Sequence, residues 1–99
     1  MTTQLATRWW AGHTVDETWM AHYRKSEDRL DRRRVVEALQ RLEPWDSLFE
    51  IGCHCGPMLS VIARAYPKAM LGGCDVNHEA VMDVRQRLPS VVEGPFPAI

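Results

Sequence analysis

Apolar residues along the chain follow two kinds of spacing, and the switches between them mark the elements. In the first part the period is helical. Val15, Trp19 and Tyr23 recur at four-residue intervals, and Thr14 with Glu17 fits a capping box, which predicts a short helix with one apolar side. Ser26 is placed to cap a second helix. Glu27 and Asp28 suit its positive N-terminal end and Arg41 its C-terminal end, Val35, Leu39 and Leu42 mark one face, and Pro44 stops it. The spacing then changes. Ser47-Leu48-Phe49-Glu50-Ile51, closed by Gly52, reads as a buried parallel strand.

Helical spacing returns behind Pro57, a residue tolerated in a first helical turn, with Met58, Ile62, Ala65 and Tyr66 as the expected buried stripe. After the break at Tyr66-Pro67-Lys68, Ala69 to Cys74 reads as a second strand ended by Asp75, with Gly72 and Gly73 permitting close backbone approach. Asn77 is an N-cap for a helix whose apolar face is Val81, Val84 and Leu88, with Val76 and Val81 spaced as a hydrophobic staple and Pro89 as the end. Ser90 to Glu93 opens a third strand that Pro95 and Pro97 prevent from continuing centrally. Two helices followed by β-α-β-α-β predict an α/β fold, a Rossmann-like parallel sheet with right-handed crossovers.

Length and composition narrow the picture. At 99 residues the chain supports one small domain, read as an N-terminal arm and short helix over 1–25 and a partial domain over 26–99. Twelve basic and thirteen acidic residues give a net charge of −1, with no overall footprint for nucleic acid or an anionic membrane. The basic stretch Arg24, Lys25, Arg29, Arg32, Arg33 and Arg34 is interleaved with Glu27, Asp28 and Asp31, as on a solvated helix face. No apolar run approaches a bilayer span, and Met1 to Trp10 does not read as a signal peptide. The expected location is cytoplasmic, with Cys53, Cys55 and Cys74 as reduced thiols.

The candidate chemistry sits at the first strand–helix junction. Gly52 and Gly56 flank a tight turn ahead of a helix N-terminus, whose unpaired N–H groups and dipole accept polar or negative ligand groups. Asp75 follows Gly56 by nineteen positions, at the end of the second strand. There its carboxylate is set beside the turn to accept bonds from both hydroxyls of a ribose. Two readings remain at this level: a nucleoside cofactor site, or an α/β domain with ordinary turn glycines. A nicotinamide dinucleotide fingerprint is disfavoured, because it wants Gly-x-Gly-x-x-Gly. Cys53, His54, Cys55, Cys74 and His78 gather at one sheet edge, but Cys-x-Cys without a second pair is not a zinc knuckle, and no metal is expected.

Leu48-Phe49-Glu50-Ile51-Gly52-Cys53-His54-Cys55-Gly56-Pro57 resembles the first motif of the class I S-adenosylmethionine-dependent methyltransferases. Tyr66-Pro67-Lys68-Ala69 through Gly73-Cys74-Asp75-Val76 resembles their second strand and ribose-binding acid, and the likeness spans about residues 33 to 93. The resemblance implies S-adenosyl-L-methionine as cofactor. By it, Glu50 organises the loop and reaches the methionine amino end, directly or through water, Gly52, Cys53 and Gly56 cradle the methionine portion, Asp75 holds the ribose, and Val76 covers an adenine face, with His54 a further cofactor-binding candidate in the same turn. N-terminal helices of the family close the site, which would set His22 and Tyr23 over the cofactor. Two departures stand out. His54 occupies a position usually held by a small residue, most often glycine, and Gly94-Pro95 lacks the acid that often meets the adenine amino group.

A complete domain of that family has about seven strands, with the first one central. Three strands leave one edge of the first strand bare and supply little for a methyl acceptor. The expectation is therefore the N-terminal cofactor-binding part of a truncated methyltransferase, inactive alone and with an unknown acceptor. The alternative is a non-catalytic nucleoside-binding or partner-interaction module that completes its sheet with another chain or a second copy.

Overall fold

The computed structural model describes residues 17–97. Helix α1 (Glu17–Lys25) runs into a 3₁₀ turn (Ser26–Asp28), followed by α2 (Leu30–Arg41). Strand β1 (Ser47–Ile51), helix α3 (Pro57–Ala65), strand β2 (Met70–Asp75), helix α4 (His78–Val84) and strand β3 (Val91–Glu93) complete the order. The strands form one parallel sheet in the order β1-β2-β3. This is an incomplete Rossmann-like α/β fold, and the expected alternation of elements holds. Thr14 and Val15 lie outside the described residues, as do Met1 to Trp10. No helix of the described residues is long and apolar enough to cross a membrane.

The register fixes two faces. Ser47 pairs with Met70 and Ile51 with Cys74, while Gly73, Cys74 and Asp75 pair with Val91, Val92 and Glu93. Side chains alternate along each strand, so Leu48, Glu50, Leu71, Gly73 and Val91 share a face. Against it the helices build the core of Cys53, Leu59, Val81, Val84 and Val91, with Leu48, Leu71 and Leu88 packed alongside. Gly73 is required there, since a Cβ would stand 2.9 Å from the Glu50 carbonyl oxygen and 3.1 Å from Leu59 Cδ1. A smaller cluster of Met20, Cys55 and Ala80, with Tyr23 against it, fastens α1 to the turn after β1.

Among the described residues the opposite face is largely uncovered, with Cys74 its buried exception. Phe49, Ile51, Met70 and Val92 all fall on it and are 48, 59, 75 and 39 % exposed. Strand β1 is therefore not the buried strand that its apolar run suggests. It is an edge strand whose burial alternates, with only Leu48 and Glu50 half-covered. The expected open edge is present.

The helices depart from expectation in three places. Ser26 does not cap α2: its hydroxyl donates to the Tyr23 carbonyl at 2.6 Å, and the helix starts at Leu30 after an extended Arg29 (φ −68°, ψ 146°). The face of Val35, Leu39 and Leu42 is largely uncovered, with Val35 and Leu42 exposed and Leu39 half-buried. On α3 the buried residues are Pro57, Met58, Leu59 and Ile62, whereas Ala65 is exposed, because the helix presents its N-terminal half to the sheet. Asn77 caps α4 as expected, its side-chain oxygen accepting from the Ala80 N–H at 3.0 Å.

Candidate functional site

The turn after β1 is held by main-chain bonds. The N–H groups of Gly52 and Cys53 both donate to the Cys74 carbonyl, at 2.8 and 3.0 Å, and the Gly56 N–H donates to the Cys53 carbonyl at 2.9 Å. Gly52, His54 and Gly56 have φ of 74°, 51° and 80°, the left-handed region where glycine avoids a Cβ clash. The two glycines differ in surroundings. A Cβ on Gly56 would run into the Val84 side chain, so α4 can approach only a glycine there, whereas a Cβ on Gly52 would meet no atom within 4 Å. Open space therefore lies over Gly52.

His54 adopts αL backbone without being glycine, and it is held both at its main chain and at its ring. Its N–H donates to Asp75 Oδ2 at 2.7 Å. The residue is 9 % exposed, and its ring lies against that of Tyr23 with centroids 4.0 Å apart and planes tilted by 31°. The bulky substitution in the turn is thus packed beneath α1. Tyr23 thus lies against the turn, while His22 is exposed and meets Tyr23 edge-on at 5.9 Å.

Asp75 ends β2 at the same edge. Its Oδ2 accepts from His54 and its Oδ1 from the Asn77 N–H at 2.9 Å. Each oxygen keeps further lone-pair capacity, because an ionised carboxylate offers about four acceptor positions. The Asp75–Asn77 bond is an Asx turn, legible in the two-residue spacing once the strand end is known. Val76 is half-buried beside it. Nearby, Nδ1 of His78 at the start of α4 and Oε1 of Glu93 at the end of β3 lie 2.6 Å apart.

Glu50 points into the helix-covered side. Burial pushes its pKa above the ordinary carboxylate value, the Arg32 guanidinium opposes that shift, and the Asp75 carboxylate adds to it. Its Oε1 is buried without a hydrogen-bond partner among the described residues. A buried carboxylate oxygen in that state is costly unless something else completes it. Arg32 was read from sequence only as part of a solvated charge run. The sole signal that could have separated it from Arg33 and Arg34 is its phase on the helix.

The cysteines are free and buried. Burial pushes Cys53 up to about 12, with Glu50, Asp75 and Cys74 adding to the effect, and pushes Cys55 up to about 11. Both are therefore thiols at neutral pH, poor as nucleophiles and as metal ligands. Among the described residues no group of His, Cys, Asp and Glu is arranged to hold a metal ion.

Comparison with known proteins gives a consistent answer. No family model matches the chain. It is 36 % identical over 63 residues to trans-aconitate 2-methyltransferase of Pseudomonas aeruginosa, a match covering 62 % of this chain and 22 % of that enzyme. It is 34 % identical over 74 residues to trans-aconitate 2-methyltransferase of Afipia carboxidovorans, covering 72 % of this chain and 28 % of the relative. The chain thus spans less than a third of the length of either relative. Among solved structures, the plantazolicin methyltransferase BpumL in complex with a monoazolic desmethylPZN analog and SAH superposes with a TM-score of 0.67 at 23 % identity, covering 96 % of this chain and 40 % of that one. In sequence and in fold, the chain corresponds to a partial domain of the class I S-adenosylmethionine-dependent methyltransferases.

Proposed function

We propose that the chain is the cofactor-binding part of an S-adenosylmethionine-dependent methyltransferase, with residues 1–25 as an N-terminal arm and short helix and residues 26–99 as a partial domain. The observation that carries this reading is the junction of β1, its left-handed turn and Asp75 at one sheet edge. Open space over Gly52, an orphaned Glu50 Oε1 and spare acceptor capacity on Asp75 stand together there. These fit the group. Asp75 would hold the ribose hydroxyls, Val76 would flank the adenine, and Gly52, Cys53, His54 and Gly56 would line the methionine portion. His54 offers its backbone to that lining, since its ring is packed on Tyr23. Glu50 would meet the ammonium of the methionine end.

When bound, the cofactor supplies a methyl group on a sulfonium, whose transfer needs chiefly an oriented nucleophile. The chain's own contribution is to bind and orient. Burial pushes the Cys53 and Cys55 thiols up, which makes these two side chains of the turn poor nucleophiles. We therefore read the chain as inactive in isolation, with its methyl acceptor bound by parts of a complete enzyme that are not in this sequence. Reduced, buried thiols suit a cytoplasmic setting.

Calorimetry with S-adenosylhomocysteine on the folded chain tests the reading. Saturable binding supports it. No heat at millimolar ligand, with native circular dichroism, contradicts it.

The bare sheet favours a second, compatible reading, a module that completes its fold with other polypeptide. Phe49, Ile51, Met70 and Val92 form one exposed apolar face beside the unpaired edge of β1. Such an edge and face are a template for association, with a second copy or a partner chain. Sedimentation velocity distinguishes these outcomes from a monomer.

A further inference from the structure

Three arginines from three separate segments meet at one groove. Arg24 comes from α1, Arg64 from α3 and Arg87 from the turn that follows α4, and with Glu27 and Ser60 they line a space of about 480 Å³. A space of this size falls in the range of small-ligand clefts. None of its lining residues belongs to the turn from Gly52 to Gly56 or to the Asp75 strand end.

Each guanidinium is anchored through only part of its donors. Arg24 Nε donates to the Met20 carbonyl at 3.2 Å, and Arg64 Nη1 donates to Glu27 Oε1 at 2.6 Å. Arg87 Nη2 donates to the Cys55 carbonyl at 2.8 Å and to Asp83 Oδ2 at 3.3 Å. Among the described residues nothing accepts from Arg64 Nε and Nη2, which form one edge of its planar fork. The same holds for Arg87 Nε and Nη1, and the Ser60 hydroxyl has no partner. Charge is unbalanced as well. The three cations are met by two carboxylates, those of Glu27 and Asp83, with Asp83 4.0 Å from Arg24.

An oxyanion answers each of these features. It offsets the excess positive charge, and it accepts from the parallel N–H groups of a guanidinium and from a hydroxyl. The existing anchors hold the arginines in place, which lowers the ordering cost on binding. A water takes up about 30 Å³, so a carboxylate or phosphate group alone fills only a small part of the groove. Ala63 and Leu88 complete the wall with apolar surface. We propose that the groove is a binding site for a small organic acid, separate from the cofactor turn. Its carboxylate or phosphate group is received by Arg64, Arg87 and Ser60, and its apolar part lies against Ala63 and Leu88.

An amide-resolved NMR titration of the ¹⁵N-labelled full chain tests this, at constant ionic strength, with hexanoate, hexyl phosphate and hexanol. At least one of the two acids should give saturable shifts at Ser60, Ala63, Arg64 and Leu88, and hexanol should give none at the same concentration. Which acid binds identifies the headgroup. Arg64→Gln should weaken that acid by about tenfold or more, and Arg64→Lys, which keeps the charge but not the fork, should lie between. Arg64→Gln breaks only an exposed ion pair, so its denaturation midpoint should match that of the unaltered chain. Arg85→Gln, which removes an exposed charge outside the groove, should change the affinity by less than about twofold.

Equal shifts from hexanol would make the groove an apolar crevice with no role for its arginines. Equal losses in Arg64→Gln and Arg85→Gln would reduce the effect to general surface charge. No saturable shift from either acid would leave no site. Each of these results overturns the proposal.

Discussion

The backbone N–H of His54 donates to Asp75 Oδ2 at 2.7 Å, so the acid that ends β2 also holds the turn that follows β1. With Asn77 on the other oxygen, Asp75 is braced from both sides before any ligand arrives. Asp75→Asn keeps the shape but turns an amide NH₂ toward one of the two N–H donors. The expected cost is about 1–3 kcal/mol of stability, measured by urea denaturation. The same change should weaken S-adenosylhomocysteine about tenfold or more, through loss of charge-assisted bonds of roughly 1.5–3 kcal/mol each. Full stability together with full affinity would place Asp75 outside both roles.

His54 combines an αL backbone cost with a ring contact. His54→Gly removes the steric cost of φ 51° and loses the Tyr23 contact, whereas His54→Ala loses the contact and keeps the cost. The alanine variant should therefore be the less stable of the two by about 1 kcal/mol. Comparing their denaturation midpoints decides this, and the reverse order would mean that the turn relaxes away from left-handed geometry.

Gly56→Ala meets two obstacles, a φ of 80° and the Val84 side chain in the space of the new Cβ. A loss of about 2 kcal/mol or more is expected, from strain and overpacking together. Gly52→Ala meets only the backbone term, since no atom lies within 4 Å of its Cβ position, and should cost about 1 kcal/mol. Its larger effect should be on ligand affinity, which titration of the two variants separates.

Glu50 gives the chain a pH signature. Burial, the largest cause, raises its folded pKa above the ordinary carboxylate value, against the opposing pull of Arg32. In the window between the unfolded and folded pKa, the native state binds more protons than the unfolded state. Its contribution to stability therefore falls as pH rises through that window, and the loss then persists at neutral pH. Glu50→Gln removes the ionisation, so its stability relative to the unaltered chain should improve between pH 4 and pH 7. Parallel pH profiles for the two proteins would contradict the raised pKa.

Much of this architecture was legible in the chain. The β-α-β-α-β order followed from the change of period at Ser47 and from Gly52, Pro57, Asn77 and Pro89, each acting through its own backbone chemistry. The Gly52–Gly56 turn and Asp75 were found because their spacing is set by one helix and one strand. Burial of β1 was misjudged, since an apolar run such as Leu48 to Ile51 records what a strand is suited to touch and not what covers it. Ser26 was misread as a cap because its hydroxyl had a nearer acceptor, the Tyr23 carbonyl. The Tyr23–His54 contact and the place of Arg32 depend on how α1 and α2 dock, and no local pattern encodes that.

The uncovered face should respond to charge. Phe49→Lys and Ile51→Lys place cations on exposed positions of the edge strand, where the change in monomer stability should stay within about 0.5 kcal/mol. Both should reduce any self-association seen by sedimentation velocity. Association that persists unchanged in the double variant would locate the contact elsewhere.

The most direct measurement of the central claim is a titration of ¹⁵N-labelled chain with S-adenosylhomocysteine, followed amide by amide. The account predicts saturable shifts concentrated at residues 50–56 and 75–77, abolished in Asp75→Ala. Shifts confined to other parts of the chain, or none at saturating ligand, would contradict a cofactor site at this turn.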